Sequence, residues 1–192
     1  MFSGIISNIG KITLFDKIKY QIGIESNLKN FQIGESISCG GICLTVAKKN
    51  KNQFFCNLSS ETIKKTNLSF KQVGDLINLE RSLKVGSEIS GHFVFGHVDG
   101  ITTVKKITNI QDSIVISFMT NNYISKFLID KCSISIDGVS LTVNDVQNNV
   151  FSVSIIPHTW ENTTLKILKE KDKVNTEIDM LARYVFKAIG KS

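Results

Sequence analysis

The chain has 192 residues, and its 23 Lys and Arg against 17 Asp and Glu give a formal net charge of +6. The lysines are scattered among Asp and Glu with no basic stripe, which argues against a nucleic-acid partner. Four cysteines without a CxxC pair and three dispersed histidines give no metal-ligand spacing, and no apolar run reaches bilayer length, so neither a metal nor a membrane is expected.

In chain order, the first residues lack the basic stretch and long apolar core of a secretory leader, so free thiols in the cytoplasm are expected. Residues 9–14, 20–24, 36–39, 42–47, 53–58 and 76–79 alternate with period two or are short β-branched runs, and read as strands. Asn50-Lys51-Asn52 reads as a hairpin turn and 60–65 as a short polar helix. Six short strands in so few residues predict a small closed antiparallel barrel, since closure removes exposed edges. A Gly- and Ser-bearing stretch at 86–91 reads as a linker.

The chain then repeats itself. Gly41-Ile42-Cys43-Leu44-Thr45-Val46 returns 97 positions later as Gly138-Val139-Ser140-Leu141-Thr142-Val143. Glu61-Thr62 and Thr66-Asn67-Leu68 return as His158-Thr159 and Thr163-Thr164-Leu165, and 75–80 returns as 172–177. Nearer the start the offset is 92, aligning Phe2-Ser3-Gly4-Ile5-Ile6 with Val94-Phe95-Gly96-His97-Val98. The second copy therefore carries an insertion between Ile116 and Asp137, where 121–128 predicts a longer helix. Gln147-Asn148-Asn149 is the second hairpin turn, and 158–163 the second short helix. Beyond the repeat, 179–189 predicts an amphipathic helix capped by Asp179, with Leu181, Tyr184, Val185, Ala188 and Ile189 on one side. That helix either lies on the second barrel or pairs with copies of itself. The expected fold is all-β: barrels over 1–87 and 88–178, and a C-terminal oligomerisation helix over 179–192.

The repeated polar residues are the candidates for chemistry. Thr45 and Thr142 sit in apolar strands beside Cys43 and Ser140, and their duplication points to a ligand rather than to strand propensity alone. Thr62 and Thr159 open short helices, where a hydroxyl caps the helix or meets a ligand. Gly4 and Gly96 mark either a turn or bulge where a barrel strand begins or, as their preserved flanks favour, a close backbone approach to a flat ring. The copies also differ: His97 stands opposite Ile5, His158 opposite Glu61, Trp160 opposite Ile63 and Ser140 opposite Cys43. Two similar but chemically unequal pockets suit a donor and an acceptor of the same kind, with several hydroxyls and an amide-rich edge.

Taken together, Met1-Phe2-Ser3-Gly4-Ile5-Ile6, the paired Gly-x-Cys/Ser-Leu-Thr-Val, the stretch from Gly91-His92 to Asp99-Gly100, and Ile136-Asp137-Gly138 resemble the riboflavin synthase family of the alpha-chain type. The resemblance runs in order from Met1 to about Asp179. It implies two six-stranded antiparallel Greek-key barrels, a C-terminal helix that assembles a homotrimer, and sites between the N-terminal barrel of one subunit and the C-terminal barrel of its neighbour. It implies the dismutation of two molecules of 6,7-dimethyl-8-ribityllumazine into riboflavin and 5-amino-6-(ribitylamino)uracil, without cofactor or metal. A non-catalytic lumazine- or flavin-binding chromophore protein of the same fold is the alternative.

By position, the resemblance implies a first pocket of Gly4, Ile5, Ile6, Cys43, Leu44, Thr45, Asn57, Leu58, Ser59, Ser60, Glu61 and Thr62. The second would hold Gly96, His97, Val98, Ser140, Leu141, Thr142, Ser154, Ile155, Ile156, Pro157, His158 and Thr159, with Lys131 reaching across the interface. Cys43, His97 and Ser36 are the candidates for nucleophile activation or proton shuttling, and Phe2 for shaping the pocket. Gly40 stands where the family usually has Asn, and is expected beside the N-terminal pocket.

Overall fold

The computed structural model describes residues 1–110 and 113–190. In the first half β1 (Asn8–Asp16), β2 (Gln21–Glu25), β3 (Ser36–Cys39), β4 (Ile42–Asn50), β5 (Gln53–Asn57) and β6 (Leu76–Arg81) close a barrel in the order β1-β2-β5-β4-β3-β6. In the second half β7 (Gly100–Ile110), β8 (Ser113–Met119), β9 (Ser133–Ile136), β10 (Val139–Gln147), β11 (Val150–Ile155) and β12 (Lys173–Ile178) close another in the equivalent order. All pairs are antiparallel, and the non-sequential neighbours make the topology a Greek key.

The repeat extends to irregularities. β4 shifts register between Val46 and Lys48, and β10 between Val143 and Asp145. β1 shifts between Ile12 and Leu14, and β7 between Val104 and Lys106. Such bulges bend a strand enough to close a small barrel. Inward residues fill each interior: Ile12, Ile24, Leu44 and Phe54 in one, Val104, Phe118, Leu141 and Phe151 in the other. Phe118 and Phe151 stack with centroids 5.3 Å apart. Each such side chain stabilises its barrel by about 1.5–3 kcal/mol.

Among the described residues four helices accompany the strands: α1 (Ser60–Lys65), α2 (Asn122–Ser125), α3 (Pro157–Asn162) and α4 (Met180–Ala188). Ser59 caps α1, its hydroxyl accepting the Thr62 N–H at 2.9 Å, whereas α3 starts on Pro157 with no side-chain cap. Thr62 and Thr159 are thus third helical residues, which removes capping, one of the two roles open to them. The helix expected over 121–128 is a single turn, because Phe127 and Leu128 turn inward to the second core. Unexpected 3-10 turns, Asn67–Phe70 and Thr164–Ile167, follow α1 and α3.

Asp179 caps α4 as expected, accepting the Leu181 N–H at 2.9 Å. Ala182 and Phe186 seat the helix on the second barrel, Phe186 lying 4.6 Å from Phe127 between ring centroids. The expected apolar face is the outer one: Leu181, Tyr184, Val185 and Ile189 are exposed. Residues 191 and 192 of the expected helical segment lie outside the described residues.

The barrels meet at two tight turns. Gly40 and Gly41 have φ of 59° and 80°, and Asp137 and Gly138 of 44° and 83°, the paired positive φ of a type I′ hairpin. A Cβ on Gly41 would lie 2.7 Å from the Gly138 nitrogen, so the turns touch through backbone. Around them the Asn175 amide donates to the Gly40 carbonyl at 2.8 Å and the Asn78 amide to the Asp137 carbonyl at 3.0 Å. Asn78 Oδ1 accepts the Thr164 N–H, and Asn175 Oδ1 accepts the Asn67 N–H, both at 2.7 Å. The exchange is reciprocal, as in an interface with a two-fold axis. Gly40 belongs to this junction and not, as expected, to the surroundings of the N-terminal pocket.

Candidate functional site

The period of two on β4 sends Leu44 and Val46 into the first core and turns Cys43 and Thr45 outward. β10 does the same, with Leu141 and Val143 inside and Ser140 and Thr142 outside. Leu44, Leu58, Leu141 and Ile155, expected as pocket residues, therefore belong to the barrel interiors.

At Cys43 the two halves of the chain meet. Its N–H donates to the Gly96 carbonyl at 3.0 Å, and a Cβ on Gly96 would lie 2.6 Å from the Cys43 nitrogen. With φ of 76° as well, only glycine fits there. The reciprocal contact joins the Ser140 N–H to the Gly4 carbonyl at 2.8 Å, again with φ of 77° at the glycine. Val98 packs on the first core and Ile6 on the second. The segments preceding each barrel are thus exchanged, crossing at an antiparallel bridge between Phe2 and Val94.

The exchange regroups the expected pockets. Gly96, His97 and Val98 join Cys43 and Thr62, while Gly4 and Ile6 join Ser140. Aligning the two copies identifies equivalent positions but carries no information on which barrel each segment reaches.

A groove of about 360 Å³ lies at the first junction. Ile42 and Cys43 form one wall, Gly96, His97 and Val98 another, and Ser59, Glu61, Thr62 and Lys65 a third. The Ser59 and Thr62 hydroxyls lie 2.8 Å apart, and Glu61 pairs with Lys65 at 3.5 Å. From α4, Arg183 closes the end of the groove and pairs with Asp99 at 2.5 Å. Burial pushes the Asp99 carboxyl above its usual range, opposed by the Ile178 N–H and the Arg183 guanidinium. Hydroxyls, a thiol, an imidazole and a guanidinium around one space suit a ring with polar edges and a polyhydroxyl chain. Ser59, Glu61 and His97 are exposed, so the groove is open on that side.

The remaining expected residues lie around this centre. Thr45, Asn57 and Ser60 are exposed on the first barrel but do not line the groove. Ser36 is half-buried opposite Thr45 on β3, and Phe2 is fully buried at the bridge. On the second barrel Thr142, Ser154, Ile156, Pro157 and His158 are exposed, Thr159 is half-buried, and Lys131 is exposed in the turn before β9. A larger depression of about 690 Å³ contains only Ile5 of the expected residues. The smaller groove gathers Cys43, Ser59, Glu61, Thr62, Gly96, His97 and Val98, seven of the expected residues, and is the better site.

The sequence did not mark Ile42, Lys65, Thr66 and Arg183 of the groove, nor His92 beside Ser140, as site residues. The His92 ring nitrogen Nδ1 is 2.7 Å from the Ser140 hydroxyl, and burial lowers the imidazole's pKa against the opposing charge of Asp179. An offset of 92 leaves His92 without a mate in the first copy, and Arg183 lies beyond the repeat, so neither carried the duplication signal. Among the described residues no His, Cys, Asp and Glu group could hold a metal ion.

The sequence profile of the lumazine binding domain matches residues 3–82 and again 95–179. The riboflavin synthase of Brucella abortus is 40% identical over 193 residues, covering 96% of this chain and 96% of that protein. Those of Photobacterium phosphoreum and Bacillus subtilis are 38% and 34% identical, covering 96% and 100% of this chain and 87% and 91% of their own. Among solved structures, LumP complexed with riboflavin has a TM-score of 0.84 at 21% identity, covering 93% of this chain and 99% of that one. LumP complexed with 6,7-dimethyl-8-(1'-D-ribityl) lumazine has a TM-score of 0.82 at 20% identity, over the same shares, so both show the shared fold. With both barrels matched in order and full-length relatives well above 30% identity, the chain belongs to the riboflavin synthase family.

Proposed function

We propose that this chain dismutates two molecules of 6,7-dimethyl-8-ribityllumazine into riboflavin and 5-amino-6-(ribitylamino)uracil by transfer of a four-carbon unit. The observation that carries the reading is the duplication of the barrel with unlike residues at equivalent positions, Cys43 against Ser140 and Ile5 against His97. Two copies of one substrate must meet in different roles, and two similar but unequal sites supply that. The atoms of two substrates equal those of the two products, so no cofactor or other reactant enters the balance.

Thr62, Ser59 and Arg183 would hold the ribityl chain and the pyrimidine edge through donors around the groove. Cys43 and His97 face the same space and are our candidates for activating a nucleophile or moving the proton lost by the lumazine methyl group. Ser36 and Phe2 would act from further off, Phe2 by holding the exchanged segments. Ser140, with His92 beside it, would be the centre of the second site, and Lys131 would reach it from a neighbouring subunit. Holding two rings together supplies much of the rate without a strong acid or base.

The groove's open side calls for a second wall, and the exposed apolar face of α4 supports assembly with copies of the chain, as a homotrimer on this reading. Four unpaired thiols suit a cytoplasmic location. The test is incubation of the purified protein with 6,7-dimethyl-8-ribityllumazine, following both products by chromatography. Equal amounts of the two, from two lumazines consumed, are expected. Binding without turnover would replace the reading with the chromophore protein.

A further inference from the structure

Two buried carboxylates hold the exchanged segments, and each belongs to the barrel opposite the site it serves. Glu177, on β12 of the second barrel, accepts the Phe95 N–H at 2.7 Å on one oxygen and the His97 N–H at 2.8 Å on the other. Those residues flank Gly96, which lies against Cys43 in the first barrel's groove. Its repeat mate Glu80, on β6 of the first barrel, accepts the Ser3 N–H at 2.7 Å, the Ser3 hydroxyl at 2.8 Å and the Gly4 N–H at 2.9 Å. Gly4 in turn lies against Ser140 of the second barrel.

We propose that Glu177 is the positioning residue of the Cys43 groove and Glu80 that of the equivalent contact at Ser140, so that each junction is shaped by a carboxylate of the other barrel. The two side chains are 2% and 5% exposed, and water does not replace these bonds if they are lost. Hydrogen bonds from N–H to an ionised acceptor are about twice as strong as neutral ones, and a carboxylate offers both of its oxygens. Burial pushes both carboxyls above their usual range, and the N–H donors oppose it. A glutamine keeps one acceptor and turns an NH₂ group toward a backbone N–H, which must retreat. At position 177 that retreat moves His97 and Gly96 away from Cys43, while the contact of Gly4 with Ser140 keeps its anchor. The proposal rests on the Cys43 groove being the lumazine site only for its catalytic meaning; the geometry stands without it.

The thiol of Cys43 reports on the groove. Burial pushes the Cys39 thiol well up and Cys56 to about 12, so neither competes at neutral pH. In a Cys132→Ser background, the rate of Cys43 alkylation by iodoacetamide is measured in the parent, in Glu177→Gln and in Glu80→Gln. Glu177→Gln should change the rate more than fivefold, and Glu80→Gln less than twofold. Equal effects of the two, or none from Glu177→Gln, would overturn the proposal. If Glu177→Gln does not fold, Glu177→Asp, which keeps the charge and shortens the reach, is read by the same criteria. Protection of Cys43 by 6,7-dimethyl-8-ribityllumazine in the parent is a separate readout. Its failure sinks the assignment of the lumazine site and leaves the cross-barrel control intact.

Discussion

Asp137 brings a carboxyl into the junction where its repeat mate is Gly40. It accepts the Asn67 amide at 3.0 Å and the Asn175 N–H at 2.7 Å, and burial raises its pKa to about 6. Lys71 and the two donors oppose that rise, and Asp172 adds to it. Because the folded pKa lies above the unfolded one, the native state holds the proton longer. Stability from this group is therefore greatest below pH 4 and falls as pH rises toward 6, by roughly 3 kcal/mol in all. Asp137→Asn keeps an acceptor for the same donors without the charge. Its stability gain over the parent in urea titrations should grow from pH 4 to 6 and then level off; a gain independent of pH would contradict the assignment. At this scale the sequence shows duplicated residues but not their surroundings. Cys43, Thr62, Gly96 and His97 stood out because they repeat or conspicuously fail to, and all four line the groove. Nothing local marks Asp137 as buried against another barrel.

Among the elements, strands and turns were legible because period-two alternation and paired turn residues are local signals. The helix expected over 121–128 shortened because Phe127 and Leu128 are core residues of the second barrel, a demand that comes from outside the segment. The 3-10 turns are too short to show a period. At α1 the cap also faces the site: Ser59 holds the Thr62 N–H and meets the Thr62 hydroxyl. Ser59→Ala should cost about 1 kcal/mol in thermal unfolding. It should also weaken lumazine binding by more than Ser60→Ala, whose side chain is exposed outside the groove; equal affinities would remove Ser59 from the site. The amphipathic character of α4 was legible, but not which side would be covered, since Ala182 and Phe186 sufficed to seat it. Leu181→Glu with Val185→Glu changes only exposed positions. Sedimentation should show smaller particles with barrel Tm nearly unchanged, and particles of unaltered size would exclude this face as the contact.

Over the whole molecule, the repeat announces two barrels but leaves their relation open, because each barrel could close on its own segment. The relation is set by contacts between distant residues: the exchanged segments, and the turns at 40–41 and 137–138 that touch through backbone. Those turns hold the barrels at a fixed distance, and the groove at Cys43 has walls from both halves of the chain, so the junction and that groove form one mechanical unit. Glycine is required at 138 for two reasons that can be separated. Its φ of 83° is costly for any side chain, and a Cβ there would lie 2.8 Å from the Gly41 nitrogen. Gly74 shares the first condition, with φ of 102°, but has nothing within 4 Å of such a Cβ. Gly74→Ala therefore measures backbone strain alone, about 1–2 kcal/mol. Gly138→Ala adds a backbone collision that only separation of the barrels can relieve, and should lose several kcal/mol. It should also speed alkylation of Cys43, because the Gly96 segment is carried on the barrel being pushed away. If Gly138→Ala loses no more stability than Gly74→Ala, the barrels are not braced at this contact, and the groove must take its shape from the exchanged segments alone.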